Sequence, residues 1–213
     1  LGDGYLQAKE FPESIRQLSK AVTLRGQFPA AHCKLGMALL EDGRPDEAID
    51  EFAEAANMQP DYVDALAGWG NALLKLGRAE EAAGKYTSAL RLAPEVGDLH
   101  YNLGNAWLKL GRLHEAEKEY RATLAISPMS AAAHHNLGLT LLELGRPREA
   151  AAQFSATIQQ LPNSAVAHAN LSRALAELSQ TVEAIAEAER SLSLEPDNPE
   201  LLAMLSHLKM GIK

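Results

Sequence analysis

Five prolines recur at a constant interval of 34 residues along this chain, at Pro60, Pro94, Pro128, Pro162 and Pro196. A single globular core does not require a helix-breaking residue at a fixed spacing. A structural unit repeated head to tail does require it, because the same turn must occur at the same place in every copy. A period of this length is typical of a stacked array of repeats. The question of function therefore becomes which face of an array binds something.

The composition is that of a protein with ample material for a core and no basic surface. Hydrophobic residues make up 46% of the 213 residues and charged residues 23%, which is the usual balance. The net charge is -8 and no run of Lys or Arg occurs, so we expect no nucleic-acid partner and no anionic-membrane surface. The longest apolar stretches are shorter than a membrane span.

The single cysteine and the first residue give hints about context. Cys33 has no other cysteine to pair with, which agrees with a reducing compartment, and we expect a cytoplasmic protein. The chain begins at Leu1 without a starting methionine and in the middle of a repeat. We therefore expect it to be a piece of a longer protein, and the lack of a signal peptide has little weight.

The copies align when each begins three residues after its register proline. They then cover residues 29–62, 63–96, 97–130, 131–164 and 165–198, with a partial copy at 1–28 and a partial copy or capping helix at 199–213. We expect residues 1–213 to form one continuous array.

Small and bulky residues stand at fixed positions of the copies. Position 8 holds a small residue in the five complete copies: Gly36, Gly70, Gly104, Gly138 and Ser172. Position 24 holds an aromatic residue in four of them and alanine in the fifth: Phe52, Tyr86, Tyr120, Phe154 and Ala188. Small residues set against large ones let facing helices interlock at interior density.

Each copy also carries helix boundaries. A glycine at position 15 is expected to end the first helix in a left-handed conformation: Gly43, Gly77, Gly111 and Gly145. An arginine follows it, for which we expect a solvated role near the helix C-terminus: Arg44, Arg78, Arg112 and Arg146. A glutamate then meets the free N–H groups of the second helix: Glu47, Glu81, Glu115, Glu149 and Glu183. Each copy is thus an antiparallel helix pair, and the chain is predicted to be all-α.

This pattern resembles the tetratricopeptide repeat (TPR) family. Residues 103–128 match it almost throughout, with Leu103, Gly104, Gly111, Glu115, Ala116, Tyr120 and Pro128. The fifth copy departs from it at Ser172, Ser179 and Ala188. The resemblance implies a right-handed superhelical solenoid of helix pairs that acts as a non-catalytic protein-interaction module without a cofactor.

The face of the first helix opposite the core is the candidate binding face. At 100° per residue, positions 4, 7, 8 and 11 share one side, and positions 2, 6, 9 and 13 share the other. In TPR proteins that second face lines a concave groove. Asparagine occupies position 6 or 9 in several copies: Asn71, Asn102, Asn105, Asn136 and Asn170. An asparagine amide is both donor and acceptor and so matches a peptide group, which makes these five residues a candidate peptide-binding groove.

Two interpretations of the asparagines stay open. Asn102, Asn136 and Asn170 resemble the asparagine ladder in the TPR region of the O-linked N-acetylglucosamine transferases, which implies binding of an extended peptide by its backbone. Alternatively, asparagine there is a solvated family residue without a ligand. A clamp for a C-terminal carboxylate is not expected, because Ala67 and Ala132 stand where that clamp has basic residues.

No residue pattern predicts catalysis or a metal site. Histidine recurs at position 4, as His32, His100, His134 and His168. Stacked helix pairs lie about 8–10 Å apart, whereas zinc needs ligands at about 2 Å. We therefore expect the histidines to pack in the core. Cys33, without a CxxC partner, is expected to be a surface or half-buried thiol. There is no phosphate loop, HExxH motif or nucleophile elbow, and we expect no enzyme.

Three functions remain open. The first is a non-catalytic module whose groove binds an extended peptide segment of a partner protein. The second is a substrate-recruiting or regulatory arm of a larger enzyme, for example a glycosyltransferase. The third is a self-assembling scaffold, because four leucines make the last helix rich in apolar surface: Leu201, Leu202, Leu205 and Leu208.

Overall fold

A computed structural model of the chain describes residues 11–24 and 28–211. Within these ranges all regular structure is helical and no strand occurs, which confirms the all-α prediction. The helices are α1 (Phe11–Leu24), α2 (Pro29–Glu41), α3 (Pro45–Met58), α4 (Val63–Lys75), α5 (Ala79–Leu92), α6 (Gly97–Lys109), α7 (Leu113–Ile126), α8 (Ala131–Glu143), α9 (Pro147–Gln160), α10 (Ala165–Glu177), α11 (Thr181–Leu194) and α12 (Pro199–Met210).

The chain divides into two compact units, Leu1–Leu110 and Gly111–Lys213. In each unit, a helix packs against the next helix in the chain, and several also contact the next but one. The division falls inside the predicted copy 97–130. Of the predicted partial copy 1–28, residues 1–10 and 25–27 lie outside the described residues. The partition into copies stays a prediction.

The turn between the two helices of a pair is formed as predicted. Glycines at position 15 have φ angles of +81°, +77°, +69° and +69°: Gly43, Gly77, Gly111 and Gly145. In the fifth copy Ser179 adopts the same left-handed conformation, with φ of 59°. The backbone therefore requires this geometry in every complete copy, although a serine has to bear the strain that glycine avoids.

The small and large residues interlock within the copies. A Cβ added to Gly36 would lie 2.9 Å from the Phe52 ring, and one added to Gly138 would lie 2.6 Å from the Phe154 ring. The fifth copy solves the same packing differently: Ala188 leaves room for a side chain at position 8. The Ser172 hydroxyl there donates to the Ala184 carbonyl at 2.6 Å. The replacement of the aromatic residue by Ala188 thus explains why Ser172 can stand where the other copies have glycine.

Candidate functional site

The structure separates the five predicted groove asparagines by their surroundings. Asn71 is exposed, whereas Asn102, Asn105 and Asn136 are half-buried. Asn170 is buried, with an exposed fraction of 8%. The five asparagines therefore do not share one degree of exposure; three of them lie in the first unit and two in the second.

In the first unit, Asn71 and Asn102 come into direct contact. Asn71 lies on α4 and Asn102 on α6, and the Asn102 Nδ2 group donates to Asn71 Oδ1 at 3.3 Å. The hydroxyl of Tyr86, on α5, donates to the same oxygen at 2.7 Å. The Tyr86 side chain is fully buried, so it supports the asparagine pair from inside the repeat. No sequence pattern indicated this role for the aromatic residue at position 24.

The contact leaves polar groups of the pair unused. Asn71 Oδ1 is occupied twice, while the Asn71 Nδ2 group donates to no described residue. Asn102 Oδ1 likewise accepts from none. The Asn71 Nδ2 donor on α4 and the Asn102 Oδ1 acceptor on α6 therefore remain available to a ligand. This is the pattern that a peptide group requires.

Asn105 and Asn136 are engaged within the protein. Each has an interaction partner of its own. Asn105 follows Asn102 by one helical turn on α6, and the Asn136 main-chain carbonyl accepts from Thr140 Oγ1 at 2.7 Å on α8. Their side chains are half-buried, like that of Asn102.

In the second unit, Asn170 lines a cavity between α10 and α12. The cavity has a volume of about 420 Å³. Its walls include four apolar residues and one arginine: Val166, Ala169, Leu201, Met204 and Arg173. Asn170 is buried because the first turns of α12 pack beside it, a contact that a helical wheel for one copy does not contain. The Asn170 amide has no hydrogen bond to any described residue.

Position 6 is not exposed in the second copy either. Gly68 is buried, and a Cβ placed on it would lie 2.4 Å from the Phe52 ring of the preceding copy. The position therefore borders on the preceding second helix, and its exposure depends on the neighbour. This explains why the residues at position 6 differ in exposure: Gly68 and Asn170 are buried, whereas Asn102 is half-buried.

Two of the four histidines are buried as expected, whereas His100 and His134 are half-buried. The Nδ1 atoms of His32 and His168 lie 2.7 Å from Glu51 and 2.6 Å from Glu187 of the second helix of the same copy. His168 Nε2 also bonds to the carbonyl of the register proline Pro162 at 3.1 Å. Among the described residues, no group of three or more His, Cys, Asp and Glu is placed to hold a metal ion.

Cys33 differs from its prediction. Its side chain is buried, with an exposed fraction of 1%, because it points into the packing between α2 and the preceding and following helices rather than to the groove. Burial raises the pKa of the Cys33 thiol to about 11. A protonated, inaccessible thiol is a poor nucleophile, and no reactivity follows from it.

Arg44, Arg78 and Arg112 are exposed, in agreement with the predicted solvated role, but the series also makes ion pairs that were not predicted. Each arginine immediately precedes the second helix and pairs with the glutamate three residues later. Both Arg44 and Arg78, for example, donate from Nε and Nη2 to Glu47 and Glu81 at 2.7 Å. The pairing lowers the pKa of these glutamates, above all through the arginine hydrogen bonds. The arginines thus close the start of the second helix rather than the end of the first.

The last helix exposes less apolar surface than expected. Leu201 and Leu205 are buried, in one core cluster with Ala188, because they face the preceding helix α11. Leu202 is 46% exposed and Leu208 is half-buried. Self-association through this helix stays a hypothesis, and the apolar surface that the four leucines offer for it is reduced to Leu202 and Leu208. In the described ranges, no helix has the length and apolar character to cross a membrane.

Comparisons with known proteins identify the repeat. The sequence profile described as "Tetratricopeptide repeat" matches residues 68–131 and 135–199. A second profile with the same description matches residues 39–84. No curated protein matches the chain at a significant level.

Solved structures share the fold. PilF of Pseudomonas aeruginosa is 20% identical, with 97% of this chain and 94% of that chain covered and a TM-score of 0.84. PilW, described as a widely conserved type IV pilus biogenesis factor, is 19% identical, with coverages of 96% and 95% and a TM-score of 0.83. YrrB, described as a TPR protein with an unusual peptide-binding site, is 23% identical, with coverages of 88% and 96% and a TM-score of 0.78.

Proposed function

This chain belongs to the tetratricopeptide repeat family, and on that premise we propose that it is a non-catalytic module that binds an extended segment of a partner protein. The proposed binding residues are Asn71, Asn102 and Asn105 in the first unit and Asn136 and Asn170 in the second. The description of YrrB as having a peptide-binding site is support from a protein of similar fold.

The observation that carries this proposal is the free donor and acceptor of the Asn71–Asn102 pair. The Asn102 Oδ1 atom is available to an N–H group of an extended chain, and the Asn71 Nδ2 group to a C=O group. Tyr86 fixes the Asn71 amide by its hydroxyl, so little side-chain freedom is lost on binding. Preorganised groups of this kind lower the cost of association.

The contacts of the pair are suited to main-chain recognition. The amide groups of the pair carry no charge. The residues at position 2 of the same predicted face, such as Asp64 and Asp98, are exposed. A ligand bound by its peptide groups can vary in its side chains. We therefore expect selectivity for extended conformation first and for individual residues second.

The test uses peptides selected against the whole chain from a random library. One selected peptide is synthesised, and its binding to three proteins is measured by fluorescence polarisation: the natural chain, the double variant N71A/N102A and the control N57A. Asn57 is an exposed asparagine of α3 in the same unit. We expect the double variant to weaken binding about tenfold or more, since two hydrogen bonds of about 1 kcal/mol each are lost. The control should leave binding unchanged.

Main-chain recognition has its own measurement. N-methylation of each peptide bond in turn removes one donor without changing a side chain. One methylated position is expected to abolish binding to the natural chain, while most alanine replacements in the peptide have small effects. Binding that survives N71A/N102A, or a library without any selected peptide, would contradict the proposed function.

A further inference from the structure

The cavity between α10 and α12 is lined by an amide that makes no hydrogen bond with any described residue. Asn170 has an exposed fraction of 8%, and its side chain makes no hydrogen bond with any described residue. An amide carries donors and an acceptor that match a peptide group, and Asn170 presents its side chain to the cavity. The adjoining space of about 420 Å³ can hold the group that Asn170 lacks.

The walls of the cavity are suited to an apolar side chain. Val166 precedes Asn170 by one turn on α10 and is 53% exposed. Leu201 and Met204 of α12 form the opposite wall. The volume lies at the lower end of the range of ligand pockets, and an exposed valine at its mouth adds apolar area that a ligand can bury.

Arg173 is the positively charged residue among those that line the cavity. It lies on the same stripe of α10, is exposed, and forms no ion pair with any residue in the described ranges. Glu177, one turn further on, is not paired with it. Glu200 also lines the cavity, but it stands in the first turn of α12, where the helix N-terminus stabilises a carboxylate. Arg173 is therefore the group left for an acidic ligand, and guanidinium–carboxylate pairs are strong and geometrically specific.

We propose that this cavity binds an apolar side chain of an extended partner segment, with Asn170 bonding to the segment's main chain and Arg173 pairing with an adjacent Asp or Glu side chain. The proposal rests on the proposed function, because it names the residue preference of a segment that the asparagines hold by its backbone. It lies wholly in the second unit, whereas the Asn71–Asn102 pair lies in the first.

The test is a change of charge at Arg173, with residue preference as the readout. Random decapeptides are displayed through their C-termini, so that no free carboxylate is offered, and are selected against the natural chain, R173E, R173K and R148E. Arg148 is an exposed arginine of α9 in the same unit and outside the cavity. The natural chain, R173K and R148E are expected to enrich an apolar residue beside Asp or Glu. R173E is expected to enrich Lys or Arg at that place.

Affinity gives the second readout. For a peptide selected on the natural chain, the dissociation constant is expected to rise about tenfold in R173E and less than about twofold in R148E. Circular dichroism of each variant establishes that it is folded. An unchanged acidic preference in R173E, or none in the natural chain, overturns the inference while the selected peptides still support the proposed function. A second library, displayed through the N-termini, offers free C-terminal carboxylates. Enrichment in that library alone overturns the assignment of Arg173 to an Asp or Glu side chain. A failure to select any peptide contradicts the proposed function itself.

Discussion

The five groove asparagines have the same chemistry but different surroundings. Asn71 shares its oxygen with Tyr86 and Asn102, whereas Asn170 is enclosed without a hydrogen bond. The difference arises because each side chain meets the helix of the neighbouring copy, and those helices carry different residues. At this scale, an unused donor and acceptor support binding of a peptide group, and an amide without a hydrogen bond can gain one from a ligand.

Replacement of Asn170 by leucine separates these two effects. The N170L variant replaces an amide that makes no hydrogen bond by an apolar side chain beside Val166, Leu201 and Met204, so the free energy of unfolding is expected to rise by about 1 kcal/mol. Binding of the selected peptide should weaken at the same time. Thermal unfolding followed by circular dichroism measures the first effect and fluorescence polarisation the second.

The matched control is N57L, which makes the same change at an exposed position of α3. It should alter neither the thermal midpoint nor the affinity. A clear loss of stability in N170L would mean that the Asn170 amide makes a stabilising contact in the native protein, and the argument that it is available to a ligand would fail.

At the scale of the element, the second helices begin with an arginine–glutamate pair. Arg44, Arg78, Arg112 and Arg146 stand directly before these helices and bond to the glutamates of the first turn. In the fifth copy Gln180 takes the place of the arginine. Because the glutamates are exposed, each pair contributes little by itself. Their effect lies in the repetition of the same pair at four helix starts.

The pH dependence of stability follows from these pairs. Arginine hydrogen bonds lower the pKa of Glu47, Glu81, Glu115 and Glu149 in the folded state below the ordinary value of 4.5. Their contribution is therefore complete above the unfolded-state pKa and is lost as the pH falls through the folded-state values. We expect the thermal midpoint to hold from pH 7 to about 5 and to fall below about 4.5.

The quadruple variant in which these four glutamates become glutamine provides the comparison. Its midpoint should be lower at pH 7 and should fall less steeply in acid, as measured by circular dichroism across this pH range. Parallel curves for the two proteins would show that other carboxylates govern the acid transition.

At the scale of the molecule, the core is a succession of small clusters. One cluster joins α1 to α4 around Phe52, and another joins α4 to α6 around Tyr86. In the second unit, Leu201 and Leu205 form a cluster with Ala188. Repeat proteins of this kind gain stability from each repeat and from its nearest neighbours. We therefore expect a lesion to act on its own repeat first.

Two glycine-to-alanine changes test this expectation. In G138A the new methyl group meets the buried Phe154 ring at 2.6 Å, and such overpacking costs about 1–3 kcal/mol. In G84A nothing lies within 4 Å of the new Cβ, so the helix gains about 1 kcal/mol from alanine. Hydrogen exchange followed by mass spectrometry should show faster exchange in α8 and α9 of G138A, with α4 and α5 close to the natural protein. An equal increase along the whole chain would contradict a repeat-by-repeat core.

Much of the fold is predictable from the sequence because it depends on contacts inside one copy. Gly43 ends a helix, and Gly138 makes room for Phe154, in ways that repeat with the period of the prolines. The same spacing predicted a core role for the histidines, which His168 fulfils by bonding to Glu187 and to the carbonyl of Pro162. Because the period is regular, a helix end or core position recognised in one copy predicts the same feature in the others.

Only the tertiary structure decided which groove residues are open. Gly68 is covered by Phe52 of the preceding copy, and Asn170 by α12, since exposure at position 6 depends on side chains about a whole repeat away in sequence. The support of Asn71 by Tyr86 and the cavity beside Arg173 have the same origin. The sequence by itself determined the repeat, its helix ends and its core positions, because these are local. The proposed binding surface depends on how neighbouring copies differ, and only their packing shows this difference.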